Sequence, residues 1–83
     1  MTIIIKVLGP GCANCENLAG NARQAVEALG VDATVVKVTD RAEFARYGLL
    51  YTPGLVIDEK LVSGGRIPPV AEITSMLANA VAV

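Results

Sequence analysis

Apolar positions along the chain change their period several times, and each change marks an element. Thr2 to Leu8 is an isoleucine- and valine-rich run, too short for a typical helix and halted by Gly9-Pro10-Gly11, which predicts a mostly buried strand. Cys15, Leu18, Ala22, Ala25, Val26 and Leu29 then recur at steps of three and four, while Glu16, Asn17, Arg23 and Glu27 fall on other faces. That spacing predicts a helix ending at Gly30, a residue free to take the positive φ a helix C-terminus favours. Ala33 to Val38 is a second β-branched run and a second strand. Asp40, followed three residues later by Glu43, has the spacing of a capping box, and Phe44 and Tyr47 ahead of Gly48 predict a helix of about two turns. Leu55 to Asp58 and Leu61 to Ser63, separated by Glu59-Lys60, predict a hairpin with Pro53 just ahead of it. Pro68-Pro69 then open a last helix, whose apolar stripe is Val70, Ile73, Leu77 and Val81.

The predicted order is therefore β-α-β-α-β-β-α. A strand, a helix and a second strand in succession call for a parallel, right-handed unit, and the hairpin must be antiparallel. The fold class is α/β: a four-stranded mixed sheet flanked by three helices, with helices expected on both faces. A chain of 83 residues buries somewhat over roughly 60% of the surface its unfolded form exposes, enough for one core and one domain spanning 1–83. Seven Lys and Arg against eight Asp and Glu give a net charge of −1, too weak a field to gather nucleic acid or an acidic lipid surface. Although 53% of the residues are hydrophobic, Lys6, Glu27, Lys37 and Asp58 keep every apolar run below the roughly 18 residues of a membrane span. Met1 to Leu8 has neither the basic leader nor the small-residue cleavage site of a secretory signal, so a cytoplasmic location is expected.

The candidate chemistry is concentrated in Gly11-Cys12-Ala13-Asn14-Cys15, at the junction of the first strand and the first helix. Both cysteines of the chain lie here, and with no His present they cannot fill a four-coordinate zinc site from Cys and His. The spacing places Cys12 at the helix N-terminus and Cys15 one turn further on. Residues three apart face each other at about 5–6 Å between Cβ atoms, near enough for a disulfide that opens and closes. Cys12 lies among unpaired N–H groups at the positive end of the helix dipole, which favours the thiolate and makes it the expected nucleophile. Cys15, on the apolar stripe, is the expected buried sulfur that resolves a mixed disulfide by attacking Cys12. As a static bridge the pair gains little, because a four-residue loop gives roughly 2 kcal/mol where a 15-residue loop gives about 3. Where thiols are kept reduced, a lone C-x-x-C points to redox catalysis or metal binding.

With this motif after the first strand, Thr52-Pro53 ahead of the hairpin and the β-α-β-α-β-β-α order, the sequence resembles the thioredoxin fold. Its length, Gly11-Cys12-Ala13-Asn14-Cys15, Tyr47-Gly48-Leu49 and Thr52-Pro53-Gly54 are similar to the small prokaryotic thioredoxin-like or glutaredoxin-like redox-active disulfide proteins. The resemblance covers nearly the whole chain. It implies that Pro53 is cis and packs beside a Cys12–Cys15 disulfide, and that Thr52 offers backbone hydrogen bonds to a bound peptide, with Gly11 at the same substrate site. It also implies a thiol–disulfide oxidoreductase of the electron-carrier type, with no bound cofactor beyond the redox-active disulfide. The implied partners are disulfide-containing protein substrates and a thioredoxin-reductase-like flavoprotein or other reductase.

Several positions depart from the family pattern. Gly11 stands where typical thioredoxins have an aromatic residue, and Ala13-Asn14 where thioredoxin usually has Gly-Pro and glutaredoxin Pro-Tyr. Lys6 stands where thioredoxins carry a buried acid six residues before the nucleophile, and Lys37 where their partner lysine lies. Aimed at the cysteines, Lys6 would favour the Cys12 thiolate; aimed at solvent, it is an ordinary strand lysine. Ser63-Gly64-Gly65-Arg66 resembles the segment by which glutaredoxins approach glutathione, without the acidic residue that follows it there, and also reads as a strand-ending glycine pair. Tyr47 and Tyr51 either border a peptide groove or fill core volume. Ala80 to Val83 reads as a frayed helix end or a dimer contact.

Two other function classes compete. Gly-x-x-Cys-x-x-Cys after a strand also resembles soft-metal transfer modules, in which two thiolates bind Cu(I). Against that reading, Pro10-Gly11 replaces their Met-x, and the last predicted element is a helix where their βαββαβ order ends in a strand. A redox sensor that docks a partner through the state of the pair is the third class.

Overall fold

Ile3–Leu8 form β1 in the computed structural model of the chain, which describes residues 2–81. The sheet has the order β2-β1-β3-β4, with β2 at Ala33–Val38, β3 at Gly54–Ile57 and β4 at Lys60–Gly64. Position in the sheet follows sequence pattern. The four residues of β3 are all buried, as a central strand requires, whereas β2 and β4 are edge strands of partly and fully exposed residues. β1 runs parallel to β2 and antiparallel to β3, and β3 is antiparallel to β4. The mixed α/β sheet with three helices is the architecture the periodicity predicts.

Between β1 and β2 the chain forms α1, Ala13–Leu29, capped at its end by Gly30 in the left-handed conformation (φ 69°). Its apolar stripe of Cys15, Leu18, Ala19, Ala22 and Ala25 is buried. Small alanines let α1 lie close against α3, Val70–Val81, and Ile73 and Leu77 of α3 join Ile5, Val7, Leu55 and Ile57 of the sheet in one core. The Asn21 side-chain amide donates to the Pro68 carbonyl at 3.1 Å, tying the middle of α1 to the start of α3. Pro69 precedes the first residue of α3 and its carbonyl accepts from the Ile73 amide at 3.1 Å, so the proline pair opens the helix without losing a needed donor. Of the apolar tail Ala80 to Val83, α3 includes Ala80 and Val81, while 82 and 83 lie outside the described residues.

The other face and the hairpin correct three expectations. α2 is only Arg41–Arg46 and buries no residue, so helices do not cover both faces equally, and Ile4 and Val36 stay 39% and 38% exposed. Asp40 caps α2 by accepting from the Ala42 amide at 2.9 Å, but Glu43 pairs with Arg46 instead of closing a capping box. The hairpin turn is Asp58-Glu59 rather than Glu59-Lys60, because Ile57 pairs with Lys60 and both turn residues take positive φ (52° and 68°). This is the backbone of a tight two-residue hairpin, whose twist matches that of the strands, and an irregularity at Leu55/Val56 absorbs the register shift.

Strand direction gathers the interesting loops at one end. In register, Leu8 lies beside Gly54 and Gly54 beside Gly64, so the cysteine loop after β1, Pro53 before β3 and Gly65 after β4 all leave the same edge.

Candidate active site

Cys12 is the N-cap residue of α1 and Cys15 lies in its first turn, with the Glu16 amide donating to the Cys12 carbonyl at 3.1 Å. Cys12 is exposed and Cys15 only 3% exposed. Their Sγ atoms approach to 3.1 Å as two free thiols. The hydrogen bond from Cys15, together with the Cys15 and Asn14 amides, holds the Cys12 thiol below its ordinary value, with desolvation opposing. These amides belong to the open first turn of α1, whose positive dipole end favours the thiolate in the same direction.

Gly9 explains why Cys15 is buried. A Cβ on Gly9 would collide with Cys15 Sγ and lie 4.0 Å from Pro53 Cα. The Cys15 sulfur therefore occupies the space a side chain at position 9 would fill, in a notch bordered by the Pro53 backbone. In the sequence Gly9 reads only as part of a Gly-Pro-Gly break; the signal of a close approach appears once Cys15 is folded over it.

The Thr52–Pro53 peptide bond is cis, Pro53 is buried and Thr52 is exposed. Gly11, at φ 92°, leaves open space beside Cys12 on the same edge. The Gly65 amide donates to the Pro53 carbonyl at 3.0 Å, and a Cβ on Gly65 would come within 3.0 Å of the Tyr51 Cβ. A Cβ on Gly64 would come equally near the Leu49 side chain. The glycine pair thus makes room for the segment ahead of Pro53. Tyr51 is 73% exposed and Leu50 86%, an apolar rim beside Thr52.

Other candidates lie elsewhere. Lys6 points neither at the cysteines nor freely into solvent: its ammonium donates to the Tyr47 hydroxyl at 2.8 Å and pairs with Glu59 at 3.3 Å. Tyr47 donates in turn to Glu59 at 2.8 Å, so it belongs to this cluster, apart from Tyr51. Lys37 donates to both carboxylate oxygens of Glu16, the residue after Cys15, which joins the end of β2 to the first turn of α1. Among the described residues no group of three or more His, Cys, Asp or Glu converges as a metal site.

Comparison with known proteins bears on the fold. The model of the thioredoxin domain family matches residues 3–78. A thioredoxin of Methanocaldococcus jannaschii is 43% identical over 77 residues, covering 93% of this chain and 88% of that protein. A thioredoxin of Methanothermobacter thermautotrophicus is 40% identical over 74 residues, covering 89% of this chain and 96% of that protein. Among solved structures, the germline-specific thioredoxin Deadhead of Drosophila melanogaster superposes with a TM-score of 0.67 at 15% identity, covering 94% of this chain and 80% of that one, which is a likeness of fold.

Proposed function

Because the chain belongs to the thioredoxin domain family, whose members are thiol–disulfide oxidoreductases, we propose that Cys12 and Cys15 are its redox pair, with Cys12 as nucleophile and Cys15 as resolving thiol. The observation that carries this reading is the asymmetry of the sulfurs: one exposed and favoured as thiolate, the other buried 3.1 Å away.

The Cys12 thiolate attacks one sulfur of a substrate disulfide, forming a mixed disulfide and releasing the other substrate sulfur as a thiolate that takes a proton from water. Cys15 then gives up its proton and attacks Cys12 Sγ. The mixed bond breaks, the second substrate thiol leaves, and Cys12–Cys15 closes as a disulfide. Two electrons and two protons have passed to the substrate, and an external dithiol or a flavoprotein reductase returns them. No bound cofactor is required, since the disulfide itself carries the electrons. Thr52 and the cis Pro53 supply backbone for a substrate chain at the same edge of the sheet as Cys12, with Gly11 leaving the approach open. The same reading supplies the partners: disulfide-bearing proteins on one side and a reductase on the other. Among the described residues no helix is long and apolar enough to cross a membrane, and we place this exchange in the cytoplasm. The soft-metal reading requires a strand where α3 stands, and gives Pro53 no role.

Reduction of insulin disulfides by dithiothreitol tests the assignment. The protein should accelerate precipitation of the insulin B chain, and Cys12→Ser should abolish the acceleration. Equal acceleration by Cys12→Ser would refute the assigned nucleophile.

A further inference from the structure

Between the cysteine loop and α2 lies an open groove of about 330 Å³, lined by Pro10, Arg41, Phe44, Ala45, Leu49 and Thr52. One wall touches the catalytic loop through Pro10 and another touches the cis-proline segment through Thr52. The floor is apolar, and Arg41 is the one charged residue lining it.

Among the described residues, Lys6, Lys37, Arg46 and Arg66 each stand against a carboxylate. Arg41, like Arg23 and Lys60, forms no ion pair and no side-chain hydrogen bond among these residues, and of the three it alone lines this groove. Its neighbour Asp40 is engaged with the Ala42 amide, and no acid lines the groove. An unpaired guanidinium beside an apolar floor is matched by a carboxylate on a partly apolar chain, since the planar fork binds both oxygens together.

We propose that this groove selects substrates: it receives the polypeptide flanking the target disulfide, and Arg41 pairs with an Asp or Glu a few residues from the attacked cystine. The proposal rests on the reading of Cys12 and Cys15 as the redox pair. Arg41 is a specificity determinant that takes no part in the sulfur chemistry, and the favoured partner is an acidic disulfide-bearing polypeptide.

Three synthetic peptides with one intramolecular disulfide, differing only in acidic, neutral or basic flanking residues, test it. kcat/KM for each is measured with dithiothreitol as reductant, at low and high salt. The wild type should prefer the acidic over the neutral peptide by about threefold to fivefold at low salt, the range of a partly exposed ion pair, and less at high salt. Arg41→Gln should bring the ratio to near one, and Arg41→Glu should invert it toward the basic peptide. Lys60→Gln removes the same charge from the hairpin end of the sheet and should keep the wild-type ratio. Because each variant is compared with itself across peptides, a loss of folded fraction cancels. A ratio unchanged in Arg41→Gln, or lowered equally by Lys60→Gln, overturns the proposal. Reduction of all three peptides at one rate sinks the groove's role alone, whereas failure of the wild type to reduce any of them sinks the redox reading as well.

Discussion

On the side of the sheet that carries α1 and α3, Ile5, Val7, Leu55 and Ile57 meet Leu18, Ala22, Ile73 and Leu77, none more than 2% exposed. On the opposite side α2 buries nothing, and Lys6, Tyr47, Glu59 and Arg46 hold strand, helix and hairpin turn together through polar contacts. Burial of one large apolar side chain stabilises by about 1.5–3 kcal/mol, whereas exposed ion pairs contribute little. The cysteines sit on α1, fastened by the stronger means. The α2-to-Pro53 segment, with Arg41, Leu50 and Tyr51, depends on the weaker one. The cysteine end of α1 is thus held more firmly than the α2-to-Pro53 segment.

The largest difference should appear in stability. Leu18→Ala opens a cavity between α1 and the sheet and should cost about 2–5 kcal/mol in urea unfolding, while Tyr47→Phe should cost at most about 1 kcal/mol. Equal losses would erase the distinction between the faces. Next is Gly9→Ala, which forces a methyl group against Cys15 Sγ; overpacking of this kind costs about 1–3 kcal/mol. In the reduced protein Cys15 should then alkylate faster with iodoacetamide, and an unchanged rate would show that Gly9 does not seat the sulfur.

A smaller effect concerns the Cys12 thiol, whose pH profile of alkylation should have its midpoint below the ordinary thiol range. Cys15→Ala should move it upward, since the Cys15 hydrogen bond is the leading cause of the shift. A midpoint that stays put would leave the first-turn amides and the helix field as the cause.

Smallest is the pH dependence of the polar cluster. The Tyr47 hydroxyl, then Lys6, holds the Glu59 carboxyl below its ordinary value, while the Tyr47 hydroxyl, with Glu59 assisting, raises the Lys6 ammonium against desolvation. A lowered carboxyl gives stability present above its ordinary pKa of about 4.3 and lost as pH falls through the lower folded value. A raised ammonium gives stability present below about 10.4 and lost as pH rises through the higher folded value. Glu59→Gln should therefore flatten both limbs of urea midpoint against pH, and unchanged limbs would show that the cluster contributes nothing.

Period and punctuation in the sequence made β1, α1, β2 and α3 legible, because each buries one face against a common core and so writes that face into its spacing. The hairpin was legible as an element but not in its turn, since positive φ at Asp58 and Glu59 answers to strand register across the sheet. The closeness of the two cysteines was legible through their spacing and their place at a helix start. The notch at Gly9 was not, because it exists only where α1 brings Cys15 over the end of β1. Lys6 was misjudged for a similar reason: its partners lie 41 and 53 residues along the chain, on elements whose juxtaposition no local pattern records. Arg41 reads in sequence as an ordinary first-turn residue, and its lack of a partner shows only in space.

The notch at Gly9 also gives the protein a handle for finding its clients. On the proposed assignment, with one sulfur sunk against the backbone and the other outside, every covalent intermediate hangs from the same atom. In Cys15→Ser the releasing step is gone, and each captured client stays bonded to Cys12 alone. Proteolytic digestion of such conjugates would then report, by mass, both the client and which of its cysteines was attacked.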